Sequence, residues 1–146
     1  MKAKFKTGIN AYRHAHTTAA AQYADSIQLT QMLFSALLES LAEAEGHMSR
    51  NDFEKKASSL SRANKILLGL QGSLDFNKGK ELATNLSDIY DYSMRRLLHA
   101  SVKNDITILL EIKAIISEID SAWQVLPTNL ANQSITVASK PLRLSC

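Results

Sequence analysis

The sequence predicts an all-α protein, an antiparallel up-down four-helix bundle with a short N-terminal segment, whose helicity the pattern leaves open, and a flexible C-terminal tail. Three observations predict it. Both prolines, Pro127 and Pro141, lie in the last twenty positions, so nothing earlier is barred from a helix. Four stretches repeat apolar residues at intervals of three and four. The gaps between them are short, which makes successive helices antiparallel neighbours. No stretch shows a convincing period-two alternation.

The first helix is expected to start near Asp25 or Ser26, both good N-caps. Its inward residues are Leu29, Met32, Leu33, Ala36, Leu37, Leu41 and Ala44, with Phe34 and Leu38 in a second row, and Gly46 is a natural stop. The second helix starts at Asn51 or Asp52. Phe53, Ala57, Leu60, Leu67 and Leu70 keep the rhythm, with Ala63 and Ile66 beside them. The third runs from about Lys80 to Ser101, with Leu82, Leu86, Ile89, Ser93, Leu97 and Ala100 inward and Ala83, Tyr90 and Met94 in the adjoining row. The fourth starts near Asn104 or Asp105, and its seam is Leu109, Ile112, Ile116, Ile119, Trp123 and Leu126. Within it, ITILLEIKAII is rich in isoleucine, which mildly favours strands, but the long three-four pattern outweighs that preference. The chain therefore divides into an N-terminal segment (1–24), a bundle (25–126) and a disordered tail (127–146).

At 146 residues the chain is one domain by length. Its single cysteine, Cys146, excludes an intrachain disulfide and suits a reducing compartment. No apolar run approaches the ~20 residues of a membrane span, so a location in the cytosol without membrane insertion is expected. Lys2, Lys4, Lys6 and Arg13 precede the first acidic residue, Asp25. That leader is read as a solvated terminus, and without a clustered basic helix no nucleic-acid partner is expected.

The polar residues converge on no catalytic or metal centre. His14 and His16 are two apart and diverge on a helix. Glu43 and His47 form one i,i+4 pair, but the second such pair that a di-iron bundle needs is missing. GLQG and KGK lack the lysine spacing of a phosphate loop. No enzyme activity, metal or other cofactor is expected. His99 keeps one alternative open, a phosphotransfer or adaptor bundle in signalling, although a histidine at a helix end is also favoured by the dipole. The remaining feature is an excess of apolar surface on the helices. A bundle helix touches two neighbours and needs a wide apolar arc; a groove for a partner's amphipathic helix needs the same.

A resemblance bears on that choice. GKELATNLSDIYDYSMRRLLHA (79–100), followed by Asn104 and Asp105, resembles the third helix of the FliS family, the flagellar secretion chaperones for flagellin. GINAY (8–12), LTQMLF (29–34), LSRANKILLGLQGSLD (60–75) and Trp123 are similar to further family segments, in order, over residues 8–126. Ser26, Ser35, Ala36, Ser93 and Ser101 depart from the family's usual residues, and Lys80 stands where the family has a turn glycine.

The resemblance implies a cytoplasmic chaperone that binds the disordered C-terminal segment of flagellin. The segment becomes partly helical, is kept from polymerising early, and is delivered to the type III export gate of the flagellum. It also implies the flagellin-facing residues: Ile9, Tyr12, Leu29, Met32, Leu33, Ile66, Leu70, Leu74, Ala83, Leu86, Tyr90 and Met94. Of these, Tyr90 and Met94 are expected to face flagellin while Leu86, with Leu97, also holds the bundle. Ile9 and Tyr12 lie in the segment near or over the groove. A monomer or weak homodimer is expected. Glutamate at Met94 or Leu70 is expected to weaken binding with the fold intact.

Overall fold

The computed structural model describes residues 19–126, with side chains from Ser26 onward. The N-terminal segment up to residue 18 and the tail from 127 lie outside the described residues. Four helices follow in order: α1 (Ala19–Ser49), α2 (Phe53–Gly72), α3 (Phe76–Lys103) and α4 (Ile106–Gln124). No strand occurs among the described residues. Each helix packs on two neighbours, α1 on α2 and α4, and α3 on α2 and α4. The four therefore close into the predicted antiparallel bundle.

α1 begins earlier than expected. Asp25 and Ser26 lie inside it, and the Ser26 carbonyl accepts the Thr30 hydroxyl at 3.0 Å. The alanine-rich run from Ala19 to Ala24 explains the extension, since alanine has the best helix propensity. α1 also runs past Gly46 to Ser49.

The stop comes at Asn51, whose φ of 55° is left-handed. Its N–H donates to the Met48 carbonyl at 3.1 Å, and the Asp52 N–H donates to that of His47 at 2.9 Å. This is a Schellman ending, which satisfies the last carbonyls of the helix. Asp52 then caps α2 by accepting from the Lys55 N–H. The same device recurs at the end of α3. Asn104 has a φ of 50°, and the Asp105 N–H donates to the Ala100 carbonyl at 2.9 Å. Asp105 caps α4 through the Thr107 N–H. Hydrogen bonds from Thr107 hold the Asp105 carboxyl below its ordinary range.

The core contains Phe34, Leu37, Leu41, Leu67, Leu70, Tyr90, Leu97, Leu109, Ile112 and Ile116. Its inward rows differ from the expected ones in three helices. In α1, Phe34 is fully buried and Met32 is 60% exposed. In α3, Ala83 and Tyr90 are buried whereas Leu82 and Ile89 are only half-buried. In α2, Phe53 and Ala57 face out, and Lys56 takes the inward position with 6% exposure. Its ammonium donates to the Ser101 carbonyl at 2.8 Å and to Asn104 Oδ1 at 3.4 Å. Its stem fills the core edge while its charge meets the C-terminal end of α3. Periodicity counts apolar residues and does not see a lysine that buries its stem.

α3 has a kink in its first turn. Lys80 has φ 46° and ψ −117°, a conformation open mainly to glycine. This is the position where a family glycine was noted. Such a backbone costs about 1–3 kcal/mol for a residue with a Cβ. Lys80→Gly is therefore expected to raise unfolding free energy in urea by about 1 kcal/mol, net of the entropy glycine adds to the unfolded chain. Lys80→Ala, which keeps the Cβ, should leave it nearly unchanged.

Ser93 is fully buried, and its hydroxyl has no hydrogen-bond partner. Buried Ser40, by contrast, donates to the Ala36 carbonyl at 3.0 Å. Ser93→Ala removes an unpaired polar atom and should stabilise by about 1 kcal/mol, read from the same denaturation midpoints.

Candidate functional site

The flagellin-facing residues expected from the sequence separate into four groups. Ile9 and Tyr12 lie outside the described residues. Met32 stands out from α1, 60% exposed. Leu29, Leu33, Ile66, Leu74 and Met94 are half-buried, and the last four of these pack their inner sides on the core. Leu70, Ala83, Leu86 and Tyr90 are buried, between 1% and 7% exposed.

The burial of the fourth group alters two expectations. Tyr90 is a core residue in the free chain, and burial pushes its phenol pKa upward. Leu70→Glu would place a carboxylate in the interior, so it tests the fold and not a surface.

Leu29, Met32, Leu33, Ile66 and Leu74 gather toward one end of the bundle, and Met94 lies nearer the middle of α3. Leu29, Met32 and Leu33 occupy successive turns of α1 near its entry into the bundle. Ile66 and Leu74 lie at the C-terminal end of α2 and in the corner that follows. Hydrogen bonds fix the facing register of α2 and α3 here. Gln71 Nε2 donates to the Ser87 carbonyl at 3.2 Å and to Asp91 Oδ1 at 2.8 Å. The C-terminal end of α4 closes the same end of the bundle. Gln31 Nε2 donates to the Trp123 carbonyl at 2.7 Å, and the Phe34 and Trp123 rings lie 6.5 Å apart. Ile27 and Leu126 form a small cluster beside them. An incoming apolar segment would find half-open leucine, isoleucine and methionine side chains on rigid helices here.

Tyr92 has a different role from its neighbour. Its hydroxyl donates to Glu111 Oε2 at 2.7 Å, and Arg96 meets Glu111 Oε1 at 3.3 Å. The bond to Glu111 raises the Tyr92 pKa. Tyr92 therefore braces α3 against α4.

Sequence reasoning passed over Leu68, Phe76, Leu98, Val102, Leu110 and Val125, all more than 40% exposed. The signal for two of them was present. Leu98 and Val102 continue the four-residue spacing that starts at Met94.

Of the polar candidates, His99 is exposed on α3. His47 is half-buried and its Nδ1 lies 3.0 Å from Arg50 Nη2. Among the described residues, no three of His, Cys, Asp and Glu come together. No described helix is long and apolar enough to cross a membrane.

Fold and surface together define a class: a helical bundle that offers apolar side chains along its flanks, in the manner of a protein that binds other chains. Comparison with known proteins makes the class specific. The family profile described as "Flagellar protein FliS" matches residues 8–129. A flagellar secretion chaperone FliS from Salmonella typhimurium is 39% identical over 119 residues, covering 81% of this chain and 88% of the relative. One from Escherichia coli is 38% identical over 118 residues, covering 80% and 87%. The flagellar secretion chaperone FliSB of Pseudomonas aeruginosa is 36% identical over 112 residues, covering 77% and 89%. The chain belongs to the FliS family of flagellar secretion chaperones.

Proposed function

We propose that this chain binds the disordered C-terminal segment of flagellin in the cytosol, keeps it from polymerising early, and aids its delivery to the flagellar export gate. It acts by binding and not by catalysis, as a monomer or weak homodimer. The family membership supports the export role. The observation that carries the binding reading is the set of half-open apolar residues Leu29, Leu33, Ile66, Leu74 and Met94, with Met32 exposed beside them.

The physics favours such a surface. A segment that folds on binding loses ordering entropy, so it needs long apolar contact to be held. Side chains that already rest on a core lose little further freedom when they are covered. Methionine adapts its shape to the partner, which suits Met32 and Met94. Ile9 and Tyr12 are placed near or over the same groove in this proposal. Leu70, Ala83, Leu86 and Tyr90 support the surface from beneath and touch the segment only where the helices give way.

Calorimetric titration with a peptide of the last ~40 flagellin residues tests the proposal; that length suits the 1,000–3,000 Å² burial of coupled folding and binding. Saturable binding with a negative heat-capacity change is expected. Met94→Glu should stay folded by circular dichroism and bind about tenfold or more weakly, because a charge replaces buried apolar area. Leu70→Glu should lose several kcal/mol of stability, on the order of 4, through its buried charge. A wild-type chain that is folded yet does not bind the peptide would overturn the proposal.

A further inference from the structure

The charge of the bundle is polarised sideways. α2 and α3 each carry more Lys and Arg than Asp and Glu. α1 has no Lys or Arg at all, and α4 has only Lys113 against three acidic residues. Because α2 and α3 are neighbours, the bundle has a basic flank and, opposite it, an acidic one.

The basic flank also carries open apolar area beyond the flagellin-facing set. Leu98 and Val102 are four apart on α3 and are 64% and 77% exposed. The hydrogen bonds from Lys56 to Ser101 and from Gln71 to Ser87 fix the antiparallel register of α2 and α3. That register sets the small residues Ala57 and Ser61 of α2 level with Leu98 and Val102. The α2 side holds a shallow depression of about 460 Å³ lined by Ala57, Ser58, Ser61, Arg62 and Lys65. On α3, Arg95 is exposed one turn before Leu98.

We propose that this flank, Leu98 and Val102 on α3 with Lys65 on α2 and Arg95 on α3, docks an amphipathic helix of a second protein partner whose apolar stripe is bordered by carboxylates. Arg62 is excluded from the set because it already pairs with Glu39 of α1 at 3.8 Å. The apolar stripe would cover Leu98 and Val102 over the low wall of Ala57 and Ser61. The carboxylates would meet Lys65 and Arg95, both exposed. A nucleic acid is a poorer match, since the cations surround an apolar centre and do not form a continuous row. A second copy of this chain is also a poorer match. Its acidic flank exposes Leu110 in the second turn of α4 and Met32 on the part of α1 toward the opposite end of the bundle, which do not form one stripe, and a contact between unlike flanks would build open chains. This assignment does not depend on the flagellin reading.

The test uses two synthetic helices of about eighteen residues, five turns, each with an apolar stripe at four-residue spacing. One is bordered by glutamates and its twin by lysines. Binding to the full chain is read by fluorescence anisotropy. The acidic peptide should bind, weaken with added salt, and exceed its twin. Leu98→Ser with Val102→Ser, and separately Lys65→Glu with Arg95→Glu, should each weaken it about tenfold or more. The flagellin peptide should bind the Leu98→Ser, Val102→Ser variant as it binds wild type. Four results would overturn the proposal: equal binding of the twins, no binding of the acidic peptide, indifference to the variants, or an equal loss of flagellin-peptide binding. Salt-sensitive self-association in ultracentrifugation, abolished by the same substitutions, would overturn it in favour of a second copy.

Discussion

Lys56 joins two corners of this bundle that are far apart in sequence. The turn between α1 and α2 and the turn between α3 and α4 are both Asn-Asp pairs, and both lie at the same end of the molecule. Asn104 Nδ2 donates to the Met48 carbonyl at 3.3 Å and to Asn51 Oδ1 at 3.2 Å. Lys56 bonds Asn104 and Ser101 from the other side, and its ammonium lies 4.8 Å from the centre of the Phe53 ring. An ammonium removed from water needs such partners, because an unpaired buried charge is costly. One junction thus ends α1 and α3, starts α2 and α4, and sets the heights at which the four helices meet.

The arrangement leaves the flanks free. Stability comes from the central rows of leucine, isoleucine, phenylalanine and tyrosine and from the closed corner, so side chains farther round each helix need not all be covered. Methionine and leucine can remain half-open there without loosening the fold. A secretion chaperone of the proposed kind needs that division: a rigid frame that loses little entropy on binding, and apolar residues in reach of an incoming chain. The opposite end of the bundle carries the longer reach of α1, the kinked start of α3 and most of the half-buried residues proposed to face flagellin.

Much of the fold was legible because helical periodicity is the strongest signal a single sequence carries. Asp52 and Asp105 marked their helix starts. The seam of α4 follows the expected row through Leu109, Ile112 and Ile116, after which Ile119 and Trp123 are half-buried and Ala122 is buried. The misreadings share a physical origin. Ile89 and Tyr90 are adjacent, and both are apolar enough to face inward; only the packing of α2 and α4 decides between them, in favour of Tyr90. Phe34 and Met32 present the same ambiguity on α1. Lys56 was invisible because its partners lie 45 and 48 residues away. The family was legible in the order of its motifs. The binding residues were less so, because a leucine that faces a partner and a leucine that faces the core obey the same spacing. Leu70 and Leu98 show both outcomes.

The junction can be tested by a double-mutant cycle in urea denaturation with Lys56→Met, Asn104→Gly and the pair. Met keeps most of the apolar stem, and Gly keeps the left-handed turn, so the cycle isolates the contact between the corners. The two effects should couple by about 1–2 kcal/mol, within the range for residues of one hydrogen-bond network. Effects that add to within about 0.3 kcal/mol would mean that the two corners stand independently, and would contradict the junction's linking role.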